Sequence, residues 1–343
     1  MTRLLYTTCH PWLERSDLCI FKLLGFDVFS TGYFQNPQEP SSSYVTGLNF
    51  KPNPDLFNLF KQLNPHYTYG YKVPLLLTKE FVDQFDVIVI TWRYDYLQEN
   101  FDLLKDKVVI LQTVGQSSPE RERQLTQARK RGTKIVRISE LEGNFPNYAG
   151  HDAIIDLAVD ITLFKNWLGT DPCVLSVNKG MHRKVQCNVG PYLEVTSGFP
   201  RKLYGVDNGS FSYSFNLGPI SPQGLVEAYS KARLVFSLGT KPAPVTLTFK
   251  EALAAGCPIV TWGPKLGNGV YKTYAAHTYI SNGINGYYSD DIPTLRQHVR
   301  DLLNSHSLAA GISREARKTA ENNFSIPVIA ERWKCFFKEI GVL

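Results

Sequence analysis

The chain has 343 residues, of which 43% are hydrophobic and 13% aromatic, and 37 Lys and Arg against 31 Asp and Glu give it a net charge of +6. That length suits about two domains at roughly 100–200 residues each, and the apolar content excludes wholesale disorder. No stretch reaches the roughly 18 apolar residues of a membrane span, and Met1–Tyr6 reads as a strand, not a secretory leader, so a cytoplasmic protein without integral membrane association is expected.

In chain order, Arg3–Thr8 is a predicted strand, followed by an amphipathic stretch to Leu24 that Gly25 stops. Asp27–Ser30 is extended again, residues 35–55 form a long loop rich in Pro, Ser and Asn, and Leu56–Leu63 and Thr78–Phe85 read as helices. Asp86–Thr91, Lys107–Gln112 and Lys134–Ile138 are short continuous apolar runs, the pattern of strands covered on both faces. The charged helix Glu120–Arg131 precedes the last of them and Gly132 terminates it. Asn166–Pro172 reads as a hinge, after which the alternation begins afresh. Strand Cys173–Asn178, a basic loop and a helix lead to strand Lys202–Tyr204, helix Gln223–Lys231 and strand Leu234–Leu238. Helix Thr246–Ala255, strand Pro258–Trp262, helices over 293–304 and 313–322, and an aromatic tail (Trp333, Phe336, Phe337) complete the chain.

Buried strands alternating with helices specify parallel, doubly wound sheets. The expected fold class is α/β, with two facing Rossmann-like domains over 1–168 and 169–325, each a parallel sheet with helices on both faces. A C-terminal helix over 326–343 is expected to pack back toward the first domain.

The charge is uneven: residues 1–170 hold 18 basic and 19 acidic side chains, and residues 171–343 hold 19 and 12. The excess in the second half has three readings: an ordinary solvated surface, a nucleic-acid-facing surface, or a pocket for a small polyanion such as a diphosphate. No block of five like charges occurs, which excludes a polybasic tail. The six cysteines are dispersed without a C-x-x-C pair, as suits a reducing compartment.

Several chemistries are excluded by their missing motifs. There is no G-x-G-x-x-G after either opening strand, no P-loop, no G-x-S-x-G elbow, and no histidine pair at metal-ligand spacing. The informative segment is Lys250–Val260, KEALAAGCPIV, a helix followed by a tight Gly-x-Pro turn into a strand. Its N-terminus, with Thr246 or Thr248 as cap, offers free N–H groups and the positive end of a dipole to a phosphate. Glu251, about a turn further along, is placed to accept hydrogen bonds from ribose hydroxyls; the plain alternative is an exposed glutamate on an amphipathic helix.

Glu251–Val260 (EALAAGCPIV) resembles the E-A-x-A-x-G-x-P-V-V segment of GT-B glycosyltransferases, especially the large retaining, family-4-like group that includes sucrose and trehalose synthases. Leu217–Ser221 followed by Leu225–Tyr229, and the Asn282–Gly286 turn (NGING), are similar to flanking segments of the same enzymes. The resemblance covers about residues 171–343. It implies that Glu251 binds the ribose of a nucleotide-sugar, that Gly218 to Ile220 flank the base, and that the basic loop with Lys179, Arg183 and Lys184 holds the diphosphate. It also implies catalysis by fixed cations without a metal, and no D-x-D metal motif is found. In one departure, the glutamate that the family carries eight positions before Glu251 is Ala243 here, which leaves the donor sugar and the stereochemical outcome open.

The first domain is expected to supply the acceptor side: Gly115 and Gln116 after one strand, and Tyr148 and Asp152 in the irregular loop 146–152, which resembles elements of phage-type transferases. Gly115 could equally be a simple chain turn, and Asp152 a cap for a helix over 153–159. His10, just past the first strand, is the candidate general base should the reaction invert.

The expected function is transfer of a sugar from a nucleotide-diphosphate donor, a UDP-sugar favoured, to an acceptor hydroxyl, with no resident cofactor and no metal. A small molecule, a glycan or DNA are the candidate acceptors. The alternatives are an enzyme that glycosylates modified DNA bases and a non-catalytic GT-B-like nucleotide-sugar-binding protein. Oligomeric state is not legible.

Overall fold

The computed structural model of the protein describes residues 1–8, 10–32, 34, 50–65, 77–164, 167–183 and 186–343. Lys184 and most of the loop expected over 35–55 lie outside the described residues. The chain forms two units, Met1–Ala158 with Ile329–Leu343, and Val159–Val328.

The first unit is built from β1 (Arg3–Thr7), α1 (Pro11–Leu23), β2 (Asp27–Ser30), α2 (Pro54–Leu63), α3 (Lys79–Val82), β3 (Val87–Thr91), α4 (Tyr94–Glu99), α5 (Phe101–Leu104), β4 (Val108–Gln112), α6 (Pro119–Lys130), β5 (Lys134–Arg137) and β6 (Ala153–Ile154). Its strands pair in the order β2-β1-β3-β4-β5-β6, all parallel, with Leu5 opposite both Phe29 and Ile88. Every residue of β3 is buried, which is why it reads as an unbroken apolar run. The local signals of α6 agree with its place. Ser118 caps it by accepting from the Arg121 N–H, Pro119 opens it, Glu120 and Glu122 sit in the first turn, and Arg129 and Lys130 in the last. Gly25, at φ +86°, makes the turn from α1 to β2.

No helix forms over 153–159. Asp152 instead exchanges two bonds with Ile135, N–H to O at 2.8 Å and Oδ2 accepting the Ile135 N–H at 2.8 Å, and Ala153 and Ile154 add an edge strand beside Val136 and Arg137.

The second unit comprises β7 (Asp171–Val177), α7 (Val189–Thr196), β8 (Arg201–Tyr204), β9 (Asn216–Gly218), α8 (Pro222–Lys231), β10 (Ala232–Ser237), α9 (Leu247–Ala254), β11 (Ile259–Trp262), α10 (Pro264–Gly267), β12 (Tyr287–Ser289), α11 (Ile292–Asn304) and α12 (His306–Asn323). The sheet runs β12-β11-β10-β7-β8-β9, again parallel. In each sheet the order reverses beside the first strand, the doubly wound pattern that places helices on both faces. Helix α12 starts at His306 instead of 313, because Ser305 caps it there by accepting the Leu308 N–H at 3.2 Å.

A last helix, α13 (Ile326–Glu339), carries the chain back. Its Trp333, Phe336 and Phe337 are buried. The Trp333 ring lies 5.4 Å from Phe21 of α1, and Phe337 lies 4.9 Å from Phe26. Among the described residues, no helix is long and apolar enough to cross a membrane.

Candidate functional site

In an open parallel sheet, ligands bind outside the carboxyl ends of the strands where the order reverses. In the second unit that point is between β7 and β10, and the loops there are tied together by two buried asparagines. Asn178, the first residue past β7, donates from Nδ2 to Gly239 O at 3.0 Å, and its Oδ1 accepts from Thr240 Oγ1 at 3.4 Å. Asn208, in the loop after β8, donates to Asn178 O at 2.9 Å and accepts the Met181 N–H at 2.8 Å. Gly205 closes the junction: at φ +150° its Cα approaches so near that a Cβ would stand 1.9 Å from Asn178 O.

Two of the expected donor-side residues, Lys179 and Arg183, sit on these joined loops, and Gly218 borders them. Lys179 is exposed and pairs with Asp207 at 3.4 Å. Arg183 is exposed, its N–H donates to Gly180 O at 2.9 Å, and its guanidinium has no hydrogen bond or ion pair among the described residues. Gly218 ends β9 at φ +73° and accepts the Gly205 N–H at 2.9 Å. Ile220 follows and lines a cavity of about 260 Å³ between α8 and the β7–β8 face, with Cys173, Lys202 and Tyr204.

Helix α9 follows the β10 loop. Thr246 is its N-cap residue, yet the side chain makes no capping bond and lies 3.0 Å from the Thr248 hydroxyl instead. The first-turn N–H groups therefore lack a side-chain cap at the positive end of the helix. Glu251 is buried, at 4% exposure. Its Oε2 accepts from the Tyr229 hydroxyl at 3.1 Å, while Oε1 takes no hydrogen bond from the described residues. Burial pushes its carboxyl up to about 7, against the lowering effect of the Tyr229 bond. Ala243 is buried in the β10 loop, its N–H bonded to Thr240 O at 2.8 Å.

In the first unit the reversal lies between β1 and β3. His10 is the N-cap residue of α1, without a side-chain capping bond, and its N–H reaches Thr8 Oγ1 at 3.4 Å. Trp92, the first residue past β3, has φ +61°, a conformation rare for so large a side chain. The Arg121 guanidinium covers its ring at 4.6 Å and donates to Gln116 O at 2.6 Å, which joins Trp92 to the Gly115–Gln116 turn. Gly115 takes φ +71° in that turn.

Beneath it is a fully buried ion triad. Arg137 contacts Glu122 at 2.8 Å and Glu142 at 3.4 Å, and all three side chains are 0% exposed. Thr113 Oγ1 and the Ile138 N–H satisfy Glu142 at 2.8 Å each, and Ser117 and the Ala149 N–H satisfy Glu122. The Tyr148 ring lies 4.6 Å from the Arg137 guanidinium, and its hydroxyl is 2.7 Å from His151 Nδ1. Asp152 is not brought to this edge; it stands at the amino end of β6, bonded to Ile135.

Sequence reasoning missed Asn178, Asn208, Tyr229, Trp92 and the triad. Only Asn178 carries a local signal, a polar amide directly after a buried strand. Among the described residues, no group of three or more His, Cys, Asp or Glu is arranged to hold a metal ion.

No family model matches the chain and no curated protein matches it. Solved structures do match. Sucrose-phosphate synthase from Thermosynechococcus elongatus is similar at a TM-score of 0.64 and 12% identity, over 99% of each chain. A glycosyltransferase from Rickettsia africae gives 0.61 and 15%, also over 99% of each. HepE from Anabaena, solved in complex with UDP-glucose, gives 0.60 and 13% over the full length of both. At these identities the likeness establishes the fold: two parallel α/β units in the GT-B arrangement of elements.

Proposed function

We propose that the protein is a glycosyltransferase whose second unit binds a nucleoside-diphosphate sugar, with a UDP-sugar as favoured donor. The observation that carries this reading is the junction at the β7/β10 reversal, where Asn178 and Asn208 lock three loops, one of which presents Lys179 and Arg183, beside Gly218 at the end of β9. Next along the chain come the uncapped N-terminus of α9 and the carboxylate of Glu251. An unpaired guanidinium and uncapped N–H groups suit a diphosphate, and a carboxylate with one oxygen that takes no hydrogen bond suits vicinal ribose hydroxyls. The solved neighbours support it: HepE is described in complexes with UDP and with UDP-glucose.

In this reading transfer is metal-independent and retains the anomeric configuration. The bond between the sugar C1 and the β-phosphate oxygen breaks with its electron pair passing to that oxygen, and the acceptor oxygen bonds to C1 on the same face. The acceptor's proton goes to the leaving diphosphate. Arg183 and Lys184, Lys179 and the α9 terminus with Thr246 stabilise the charge that grows on the leaving group, while Gly218 and Ile220 flank the base. We assign the acceptor to the first unit, with Gly115, Gln116 and Tyr148 at the edge that Arg121 and the triad hold, and His10 beside β1.

The test is thermal stabilisation and titration calorimetry with UDP, GDP and ADP and their sugars. Saturable binding of one of them and slow release of free sugar from its donor is the expected result. No binding across that panel would sink the proposal.

A further inference from the structure

The loop after β10, Gly239–Val245, carries a single charged side chain, Lys241. It is half-buried, and among the described residues its ammonium has neither a hydrogen bond nor a carboxylate partner. Partial burial of the side chain holds it below the usual lysine value. Yet the surroundings are shaped around it. Its N–H donates to Gln186 O at 3.0 Å, which ties it to the loop that bears Arg183. Its stem lies on Gly269, where a Cβ would come within 3.3 Å of the lysine Cδ.

Asp207 neutralises Lys179, leaving Arg183 and Lys241 as cations without a described acid partner, on loops joined by backbone bonds. Two cations without a described acid partner, carried on loops that the Lys241–Gln186 bond joins, one of them partly desolvated, offer a place for an anion.

We propose that Lys241 is an anion-binding residue of the donor site, its ammonium taking a negatively charged group of the bound nucleotide-sugar. This rests on the donor reading above. That group is the diphosphate or the carboxylate of an acidic sugar, and the two sources separate experimentally.

UDP, UDP-glucose and UDP-glucuronate are titrated calorimetrically at low ionic strength against the parent protein, K241Q and K241R, with K130Q on the first unit as a control. K241Q should weaken binding by about tenfold or more, the loss of a hydrogen bond to a charged group, while K241R recovers most of it and K130Q changes nothing. An equal loss for all three ligands identifies the diphosphate; a loss confined to UDP-glucuronate identifies the sugar carboxylate. Should the parent prefer GDP or ADP, the same variants are measured on that nucleotide and its sugars. Unchanged affinity of K241Q for ligands that the parent binds overturns the proposal. A parent that binds no nucleotide at all fails earlier, on the donor reading itself, and the proposal falls with it.

Discussion

The Tyr229 hydroxyl donates to Glu251 Oε2 at 3.1 Å, and this bond joins α8 to α9 inside the second unit. Both groups are buried, so the carboxylate is held by one strong donor in a poorly solvated place and its pKa is raised to about 7.

The first prediction concerns pH and stability. Glu251 titrates higher in the folded protein than in the unfolded chain, so its contribution is fully present below the unfolded value and is lost as pH rises through about 7. E251Q keeps the acceptor for Tyr229 and removes the ionisation. Urea midpoints at pH 5 and pH 8 should show E251Q more stable than the parent at pH 8, by about 2 kcal/mol, with a smaller gap at pH 5.

Donor affinity should follow the same group with the opposite benefit. The ionised carboxylate is the better acceptor for ribose hydroxyls, so nucleotide affinity should rise between pH 6 and pH 8 in the parent and stay flat in E251Q. In Y229F the lowering effect of the hydroxyl is gone, and the rise should move to higher pH. Titrations across that range check both.

The loop junction gives a third test. G205A places a methyl against Asn178 O at a backbone angle that L-residues rarely adopt. It should lower stability by about 2 kcal/mol and reduce nucleotide affinity. N178A, which removes the amide bonds to Gly239 and Thr240, should reproduce the affinity loss. Unaltered nucleotide binding in both variants would separate the junction from the site.

The fourth concerns the triad. R137M leaves Glu122 and Glu142 facing each other without their cation, and burial already raises Glu142 above the ordinary carboxylate range. Breaking a buried pair from one side costs about 3–5 kcal/mol. Denaturant unfolding should show a loss of that size, and a triple variant replacing all three groups by apolar residues should recover part of it.

The runs Val87–Thr91, Val108–Gln112 and Lys134–Arg137 were legible within a residue or so, because strands covered on both faces are largely apolar, with Arg137 admitted to β5 only by its buried carboxylate partners. The edge strands β9 and β12 were not, since three residues hold too little periodicity to read. The helix starting at Thr246 or next to it, and Glu251 upon it, could be placed from the KEALAAGCP pattern. What buries Glu251 could not, because Tyr229 reaches it from a helix 22 residues earlier. Glu122 has the same lesson: in the run Pro119–Gln124 it looks like any surface charge, and only the fold supplies Arg137 beneath it. Lys241 reads as an ordinary loop lysine until its neighbours are found to leave it uncompensated.

The return of α13 to the first unit sets a schedule for synthesis. The second unit is one continuous stretch, Val159–Val328, whereas the first draws on both ends of that insert. Phe21 leaves the ribosome long before Trp333, and at about 5–20 residues per second the wait is on the order of tens of seconds. Through that interval the aromatic face of α1 has no partner from α13, so the first-made unit should be the last completed. Released chains truncated just before Trp333 should hold a protease-resistant second unit beside a sensitive first one, and a holdase chaperone should bind the α1 segment rather than any part of the insert.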